Sequence, residues 1–256
     1  MNTNLKRYQL FGWDYDHFSP LNENEINWHK SHAHKTGGPI LELACGTGRL
    51  LSKLAGIGYD VTGIDLSSKM LEIANANIGK LPAELKNKIT LVNGDIIDFN
   101  FDRQFGLIFI ADNSFRELCT KEAQISCLKA VYRHLSPQGA FLLTVRRFDF
   151  SSFINGKRET PWSKAIIDTT TGNKVSRTVE FTLSDSNQLL SGTYKYRIVA
   201  DQGAEHFEEC PFFSPILQEK DYLALFAEAG LKPVLFYDFN NQKDTVGQTM
   251  CFVCTK

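Results

Sequence analysis

Two glycines and four carboxylates are the residues whose types and spacing could do chemistry in this sequence. Gly46 and Gly48 interrupt the stretch ILELACGTGRL, between an apolar run and a leucine-rich segment with helical spacing. Glycine allows a sharp turn and a close approach of a ligand to the backbone, and a helix that begins there points free N–H groups at the same place. The turn therefore suits a nucleotide or an amino-acid carboxylate, although strand-to-helix turns also contain glycine for structural reasons alone.

Three of the carboxylates follow the ends of successive predicted strands. Asp65 ends the run VTGI, Asp95 ends ITLVNG, and Asp112 follows FGLIFIA. Asp65 also lies 17 residues after Gly48, close to the separation at which a nucleotide-binding βαβ unit places an acid on ribose hydroxyls. Because the ends of parallel strands share one edge of an open sheet, we expect these acids and the glycine turn to form one ligand site.

Glu42, the fourth carboxylate, and Leu51 separate two classes of cofactor. A dinucleotide fingerprint requires a third glycine three residues after Gly48, where this sequence has Leu51. Glu42 lies in the strand before the turn, where a negative charge disfavours a pyrophosphate but favours a sulfonium ligand that carries an ammonium group. A dinucleotide-dependent dehydrogenase is therefore the weaker hypothesis.

Four stretches, ILELACGTGRL, VTGIDLSSKML, NGDIIDF and FGLIFIADNSF, resemble the successive motifs of class I S-adenosylmethionine-dependent methyltransferases. The resemblance extends from about Gly38 to Val145. It implies S-adenosylmethionine as the cofactor and S-adenosylhomocysteine as its product. It also implies an α/β fold with a Rossmann-like sheet of seven strands, in the order 3-2-1-4-5-7-6, with the last strand antiparallel.

The same resemblance implies where the cofactor lies. The methionine part would border the first motif, the ribose hydroxyls would meet Asp65, and the adenine would lie between Leu66, Met70 and the pair Asp95-Ile96. The full set of implied cofactor-binding residues is Tyr15, Glu42, Ala44, Cys45, Gly46, Thr47, Gly48, Asp65, Leu66, Met70, Asp95, Ile96 and Ala111.

Residues 1–36, before the first motif, are expected to form a lid that contains a helix starting at about Asn22. Tyr15-Asp16 resembles a Tyr-Asp pair in the segment that many small-molecule methyltransferases fold over the cofactor. Tyr15 is therefore a candidate for catalysis as well as for cofactor binding. The alternative interpretation is an aromatic contact that fastens the segment to the core.

The residues after the fourth strand are candidates for contact with the methyl acceptor. By the resemblance, this position faces the transferring methyl group, and Asp112 and Asn113 are therefore the other candidate catalytic residues. Asn113-Ser114-Phe115 is similar to the corresponding piece of glycine N-methyltransferases, which makes Phe115 a candidate substrate-binding residue. The piece differs from the Asn-Pro-Pro-Tyr run of DNA N-methyltransferases, which argues against a nucleobase as the acceptor.

Arg146 and Arg147 follow the fifth predicted strand at the same edge of the sheet. Two guanidinium groups could bind a substrate carboxylate in a fork geometry. The stretch VRRFDF is loosely similar to a glycine N-methyltransferase region in which an arginine holds the substrate carboxylate, and Arg147 would take that part. The alternative is a surface ion pair of Arg147 with Asp149 or Glu159.

The pattern of the chain changes between residues 151 and 211. Alternating segments such as NKVSRTVEFTL and LLSGTYKYRIV are separated by turn residues, which predicts an antiparallel β-meander inserted after strand five. The expected division is a lid segment at 1–36, a cofactor-binding domain at 37–150 and 212–256, and the insertion at 151–211. The exposed edge of the meander could pair with a second copy of the chain.

Charge and cysteine usage limit the choice of partners and compartment. The 28 basic residues nearly balance the 29 acidic residues, which gives no overall attraction to nucleic acid or to a membrane surface. The first ten residues carry no long apolar run, so neither a signal peptide nor an anchor is expected. Six scattered cysteines favour a reducing, cytoplasmic location. Cys251 and Cys254 have C-x-x-C spacing, but a strand places them on opposite faces, so no metal site is expected.

These observations predict a methyltransferase that acts on a small polar metabolite, with an amine nitrogen as the favoured acceptor. In-line attack on a sulfonium methyl group depends mainly on alignment of the reacting atoms. An amine must only lose a proton, for example to Asp112 or Tyr15, whereas a hydroxyl acceptor requires a committed base, and no histidine lies at a predicted strand end. An O-methyltransferase and a non-catalytic cofactor-binding protein are the alternatives.

Overall fold

The computed structural model describes residues 4–168, 170–240 and 247–256, whose strands form two sheets. The helices are α1 (Leu5–Phe11), α2 (Tyr15–Phe18), α3 (Glu23–Thr36), α4 (Arg49–Ala55), α5 (Ser68–Gly79), α6 (Ala83–Lys86), α7 (Lys121–His134) and α8 (Glu219–Glu228). The strands are β1 (Ile40–Leu43), β2 (Val61–Asp65), β3 (Ile89–Asn93), β4 (Phe105–Ile110), β5 (Leu135–Arg146), β6 (Lys157–Glu159), β7 (Ile166–Ile167), β8 (Lys174–Leu183), β9 (Leu189–Val199), β10 (Glu205–Pro215), β11 (Lys232–Tyr237) and β12 (Thr249–Thr255).

The larger sheet has the strand order β3-β2-β1-β4-β5-β12-β11. Strands β1 to β5 are parallel to one another, and β12 runs antiparallel to both β5 and β11. This is the order predicted from the sequence, so the predicted fold is confirmed. Strands β1, β2 and β4 are buried along their whole length, as expected of apolar strands that are covered on both faces.

Strand β5 begins earlier than the sequence predicts. Residues 136–139 read as a turn before the strand, but they lie within β5. The pairing with β4 passes from Phe105–Leu135 to Leu107–Ala140, so the extra residues of β5 form an irregularity in the ladder. The chain of α7 therefore enters the sheet directly at Leu135, which is fully buried.

Helices cover both faces of this sheet and divide its core in two. Helices α3 and α4 pack their apolar residues, including Trp28 and Leu54, against Ile40 and Phe109 of the sheet. Helices α7 and α8 pack on the opposite face, where Phe226 lies against Phe252. The carboxyl ends of the parallel strands remain uncovered by these layers, and the predicted site residues follow those ends.

The smaller sheet confirms that the region after β5 is an antiparallel meander. Strands β8, β9 and β10 pair along their length, and the short strands β6 and β7 add to β8. Strand β10 continues to Pro215, beyond the expected boundary at residue 211. The side-chain amide of Asn4 bonds to both the N–H and the C=O of Phe213, so the N-terminal segment covers part of the edge of β10.

The N-terminal segment joins the two sheets. Helix α3 begins after Asn22, whose side chain accepts a hydrogen bond from the N–H of Asn24, as the sequence predicts. Phe11 of α1 stacks on Tyr196 of β9 with a centroid distance of 3.6 Å. Asp14 is fully buried and makes ion pairs of 3.1 Å with Arg7 and with Arg177 of β8. The N-terminal segment therefore contacts the insertion as well as the main sheet.

Candidate functional site

The glycine turn after β1 places backbone N–H groups beside a carboxylate of β2. Ala44 and Gly46 have φ angles of 57° and 54°, in the left-handed region that is uncommon for a residue with a Cβ atom. The N–H of Gly46 donates to Oδ2 of Asp65 at 2.8 Å, and the N–H of Ser67 donates to Oδ1 at 2.8 Å. Asp65 therefore links the turn to the start of α5 and keeps its carboxylate at the rim of the sheet.

A cavity of about 430 Å³ opens at this rim. Most of the predicted cofactor-binding residues lie on its wall, namely Tyr15, Ala44, Gly46, Asp65, Leu66, Met70, Asp95 and Ile96. Met70 is buried beneath the glycine turn, and a Cβ atom on Gly46 would come within 3.3 Å of its Cε atom. Asp95 accepts a hydrogen bond from the N–H of Ile97, which fixes the loop after β3. The structure thus brings the ends of β1, β2 and β3 to one cavity.

A smaller cavity of about 30 Å³ adjoins the first, and Tyr15, Ala44 and Gly46 line both. Four further residues of the predicted cofactor set line the smaller cavity: Glu42, Cys45, Thr47 and Ala111. Gly48 lines neither, and its φ of 75° and its contact with Ala74 indicate a role in packing α4 against α5.

Burial controls the charge of the acids in these cavities. It raises the pKa of Glu42 well above the usual range, although the guanidinium of Arg49 opposes the shift. Burial also raises the pKa of Asp65, although the N–H groups of Ser67 and Gly46 oppose this shift by donating hydrogen bonds to the carboxylate. Oε2 of Glu42 is buried and has no hydrogen-bond partner. A buried acceptor without a donor is costly, so this position suits a ligand with a positively charged donor.

Tyr15 and Asp112 meet above the end of β4. The Tyr15 hydroxyl donates to Oδ2 of Asp112 at 2.9 Å, and Nη2 of Arg49 donates to the same oxygen at 2.9 Å. Burial raises the pKa of the Tyr15 hydroxyl well above its usual value, so this group acts as a donor. Arg49 also pairs with Asp16, which accepts a hydrogen bond from Thr47. The lid segment is thereby connected to both the glycine turn and the β4 end.

Two other predicted site residues, Asn113 and Phe115, lie elsewhere. Asn113 lines neither cavity, and its Oδ1 accepts a hydrogen bond from the N–H of Arg146 at 2.6 Å, which holds the end of β5. The prediction for Phe115 is corrected, because its side chain is fully buried in the core against Tyr222. A short 3₁₀ turn begins at Ser114, which lines the cavities, while Phe115 faces inward.

The two arginines after β5 do not line the described cavities. Arg147 is exposed; its N–H donates to the carbonyl of Gln248, and its guanidinium donates to the carbonyl of Gly247. Its expected surface pairs with Asp149 and Glu159 are not among the ion pairs of the described residues. Arg146 is exposed, and its charge weakly opposes the rise that burial causes in the pKa of Glu25. Thus the two arginines lie outside the described cavities, and their binding of a substrate carboxylate stays a prediction.

Sequence reasoning missed three acidic or aromatic residues of the cavities. Glu25 of α3 lines the smaller cavity, while Tyr8 and Glu117 line the larger one. Tyr8 donates to Oε1 of Glu117 at 3.1 Å, and burial raises the pKa of this carboxyl group. None of them belongs to a motif. One signal for the two acids was present in the sequence: Glu25 lies in the predicted lid segment, and Glu117 lies in the loop after β4.

Comparison with known proteins agrees with this geometry. Residues 40–139 match the family model described as "Methyltransferase domain". The chain contains a methyltransferase domain. This domain is 38% identical over 109 residues to the putative methyltransferase YqeM of Bacillus subtilis (strain 168), and the match covers 42% of each protein. The chain thus matches less than half of the length of that relative.

A second relative matches over a longer part of the chain. The chain is 26% identical over 193 residues to dTDP-3-amino-3,4,6-trideoxy-alpha-D-glucopyranose N,N-dimethyltransferase of Streptomyces venezuelae, with 75% of each protein covered. The fold resembles that of the CcbJ methyltransferase from Streptomyces caelestis, with a TM-score of 0.80 at 19% identity, covering 100% of this chain and 98% of that one. The predicted methyltransferase domain and its fold are confirmed.

The described residues contain no helix that is both long and apolar enough to cross a membrane.

Proposed function

We propose that this protein transfers a methyl group from S-adenosylmethionine to an amine nitrogen of a small polar metabolite. The observation that carries the proposal is the charge of the two cavities. Their walls hold the six carboxyl groups of Glu25, Glu42, Asp65, Asp95, Asp112 and Glu117. Among the described residues, Arg49 is the one basic side chain on these walls. Such a lining favours cationic ligands. A sulfonium cofactor and a protonated amine are both cations.

The residues present fit this cofactor. Asp65 has lone pairs left for two ribose hydroxyls after accepting two backbone N–H bonds, because a carboxylate offers about four acceptor sites. Leu66 and Ile96 provide apolar walls for a base, and Glu42 provides an acceptor for the ammonium group. When bound, the cofactor supplies an activated methyl group, and what remains for the protein is to align the acceptor with it.

Tyr15 and Asp112 are the residues proposed to act on the acceptor. The Tyr15 hydroxyl remains protonated and donates its one hydrogen to Asp112, so its oxygen can accept an N–H of the amine and orient it, but it does not take a proton. Asp112 is exposed at the β4 end and is therefore the better proton acceptor. No histidine lines either cavity in the described part of the chain, which supports an amine over a phenol or alcohol.

An amino sugar linked to a nucleotide is the first acceptor to test, because the relative that matches three quarters of this chain is named for methylation of such a compound. The experiment uses methyl-labelled S-adenosylmethionine with a panel of amino sugars, free amines, amino acids and catechols. We expect label on an amine, with a rate that rises with pH as the amine loses its proton. Label on a catechol alone would favour the O-methyltransferase alternative.

Binding without turnover is the second alternative, and calorimetry separates it. The wild-type protein should bind S-adenosylhomocysteine and should not bind NAD. Binding together with no product from any acceptor class would support a non-catalytic protein, whereas preference for NAD would remove the proposal. We also propose a cytoplasmic location, supported by six cysteines that are free thiols. We further propose that the exposed edge of the meander pairs with a second copy of the chain.

A further inference from the structure

Glu25 is a buried carboxylate that the proposed function has not used. It lies in the first turn of α3 and is 7% exposed. Together with Glu42 and Asp112 it lines the smaller cavity. Its carboxylate makes no hydrogen bond or ion pair with any other described residue. The N-terminal segment therefore contributes a negative charge to the inner end of the site without a partner for it.

The balance of charge in the smaller cavity is unfavourable. Three carboxyl groups face the single guanidinium of Arg49, which already pairs with Asp112 and Asp16. Burial raises the pKa of Glu25 to about 7, and the charge of Asp112 adds to this shift, while Arg49 and Arg146 oppose it. Charged acids in such a site need a cation with several N–H donors.

The orphaned oxygen of Glu42 indicates what kind of cation fits. Glu42 is 5% exposed, lines the cavity and has no donor for Oε2. The cavity of about 30 Å³ has room for one group the size of a water molecule or an ammonium ion. An ammonium group carries three donors and could serve both glutamates at once. Its position beside the glycine turn is next to the space assigned to the methionine part of the cofactor.

We propose that Glu25, with Glu42, binds the α-ammonium group of the cofactor. This inference rests on the proposed function, since it assumes that the larger cavity holds the adenosine part. Its consequence is that α3 supplies a cofactor ligand, so the protein distinguishes ligands that carry an amino-acid end from ligands that lack one. Glu25 acts here as a binding residue for the cofactor and not as a proton acceptor.

Calorimetry with two product analogues tests this on the variant Glu25→Gln. S-adenosylhomocysteine carries the α-ammonium group, whereas 5′-methylthioadenosine keeps the adenosine and lacks the amino-acid end. At pH 8 we expect Glu25→Gln to bind S-adenosylhomocysteine about tenfold more weakly or worse, because a hydrogen bond to a charged group is lost. Binding of 5′-methylthioadenosine should stay within about twofold of the wild type. Glu23→Gln, two residues earlier and exposed on the same helix, is the control and should bind both like the wild type.

A second measurement needs no variant. The wild-type protein should bind S-adenosylhomocysteine about tenfold or more tightly than its analogue without the α-amino group. The inference is overturned if Glu25→Gln binds S-adenosylhomocysteine like the wild type, if it loses both ligands equally, or if the wild type does not distinguish the analogue. By contrast, a wild-type protein that binds neither S-adenosylhomocysteine nor 5′-methylthioadenosine would overturn the proposed function itself.

Discussion

Asp65 shows how one side chain can serve both the fold and a ligand. Its two oxygens accept hydrogen bonds from the turn after β1 and from the start of α5, and its carboxylate still faces the cavity. The sequence could predict its position, because an acid at the end of a strand at this distance from a glycine turn depends on local order along the chain. The backbone bonds that hold it could not be predicted.

Replacement of Asp65 by Asn should weaken cofactor binding. The amide keeps one acceptor oxygen but loses the charge, so hydrogen bonds worth about 1.5–3 kcal/mol are lost and the Kd for S-adenosylhomocysteine should rise about 10- to 100-fold. Calorimetry measures this directly. Asp98→Asn, at an exposed side chain in the loop after β3, is the control with unchanged affinity. An unchanged Kd for Asp65→Asn would exclude the assigned role.

Phe115 should behave as a core residue and not as a substrate contact. Its ring is fully buried, so Phe115→Ala should lower the free energy of unfolding by about 3–5 kcal/mol. Phe115→Leu should lose less unfolding free energy, and its Michaelis constant for the acceptor should equal that of the wild type. Urea denaturation measures the stability of each variant, and steady-state kinetics measures the Michaelis constant. A Leu variant with wild-type stability and a greatly raised Michaelis constant would restore the role in substrate binding that the sequence suggested.

Helix α3 contains one buried carboxyl group and two buried imidazoles, and their responses to pH are opposite. Burial raises the pKa of Glu25 to about 7 and lowers the pKa of His29, one turn later, to about 4. Burial also lowers the pKa of the second imidazole, His32, to about 4. Glu25 in the folded state thus holds its proton at a pH where the unfolded chain releases it. Its contribution to stability is complete below about pH 4.5 and is lost as the pH rises through 7. Neutral His29 contributes in the opposite sense, above about pH 6.5, and this contribution is lost towards pH 4.

The variant Glu25→Gln isolates the first of these effects. It has no charge to bury, so its stability relative to the wild type should improve between pH 5 and pH 8, by up to about 3 kcal/mol. Thermal unfolding without ligand at a series of pH values measures the difference, and the contribution of His29 cancels because both proteins contain it. Glu23→Gln should follow the wild type at every pH. A difference that does not change with pH would contradict the raised pKa of Glu25.

Features that depend on residues close together in the sequence could be predicted, and features that depend on contacts between distant residues could not. The glycine turn and the alternating segments of the meander depend on neighbours along the chain and were predicted from the residues, whereas the strand order was implied by the resemblance to methyltransferase motifs. Glu25 enters the site because α3 packs beside β4, and Arg147 leaves it because the chain before β12 engages its backbone. Cys251 and Cys254 belong to the two opposite cores, as period-two spacing predicts for a strand.

At the scale of the whole molecule, two arginines that pair with the buried Asp14 join the lid segment to the insertion. Arg7 belongs to α1 and Arg177 to β8, and Phe11 stacks on Tyr196 beside them. No sequence pattern links these residues, which are separated by up to 189 positions. Because the ion pairs are buried, removal of one partner leaves uncompensated charges, at a cost of about 3–5 kcal/mol.

Asp14→Asn should therefore release the lid segment from the insertion. We expect faster tryptic cleavage after Arg7 and weaker binding of S-adenosylhomocysteine, since Tyr8 and Tyr15 lie on the same segment. Limited proteolysis followed by mass spectrometry measures the cleavage rate. Asp201→Asn, in the exposed turn between β9 and β10, is the control that should be cleaved like the wild type. Equal cleavage of both variants would show that the ion pairs do not hold the segment.

The bond between Tyr15 and Asp112 has a kinetic consequence. It holds the lid segment over the glycine turn, at the point where the acceptor must arrive. If the acceptor bound first, S-adenosylmethionine would find its path to the site covered. Steady-state turnover should then follow a compulsory order in which the methyl donor enters first and its demethylated form leaves last. S-adenosylhomocysteine should compete with the donor and inhibit non-competitively against the acceptor.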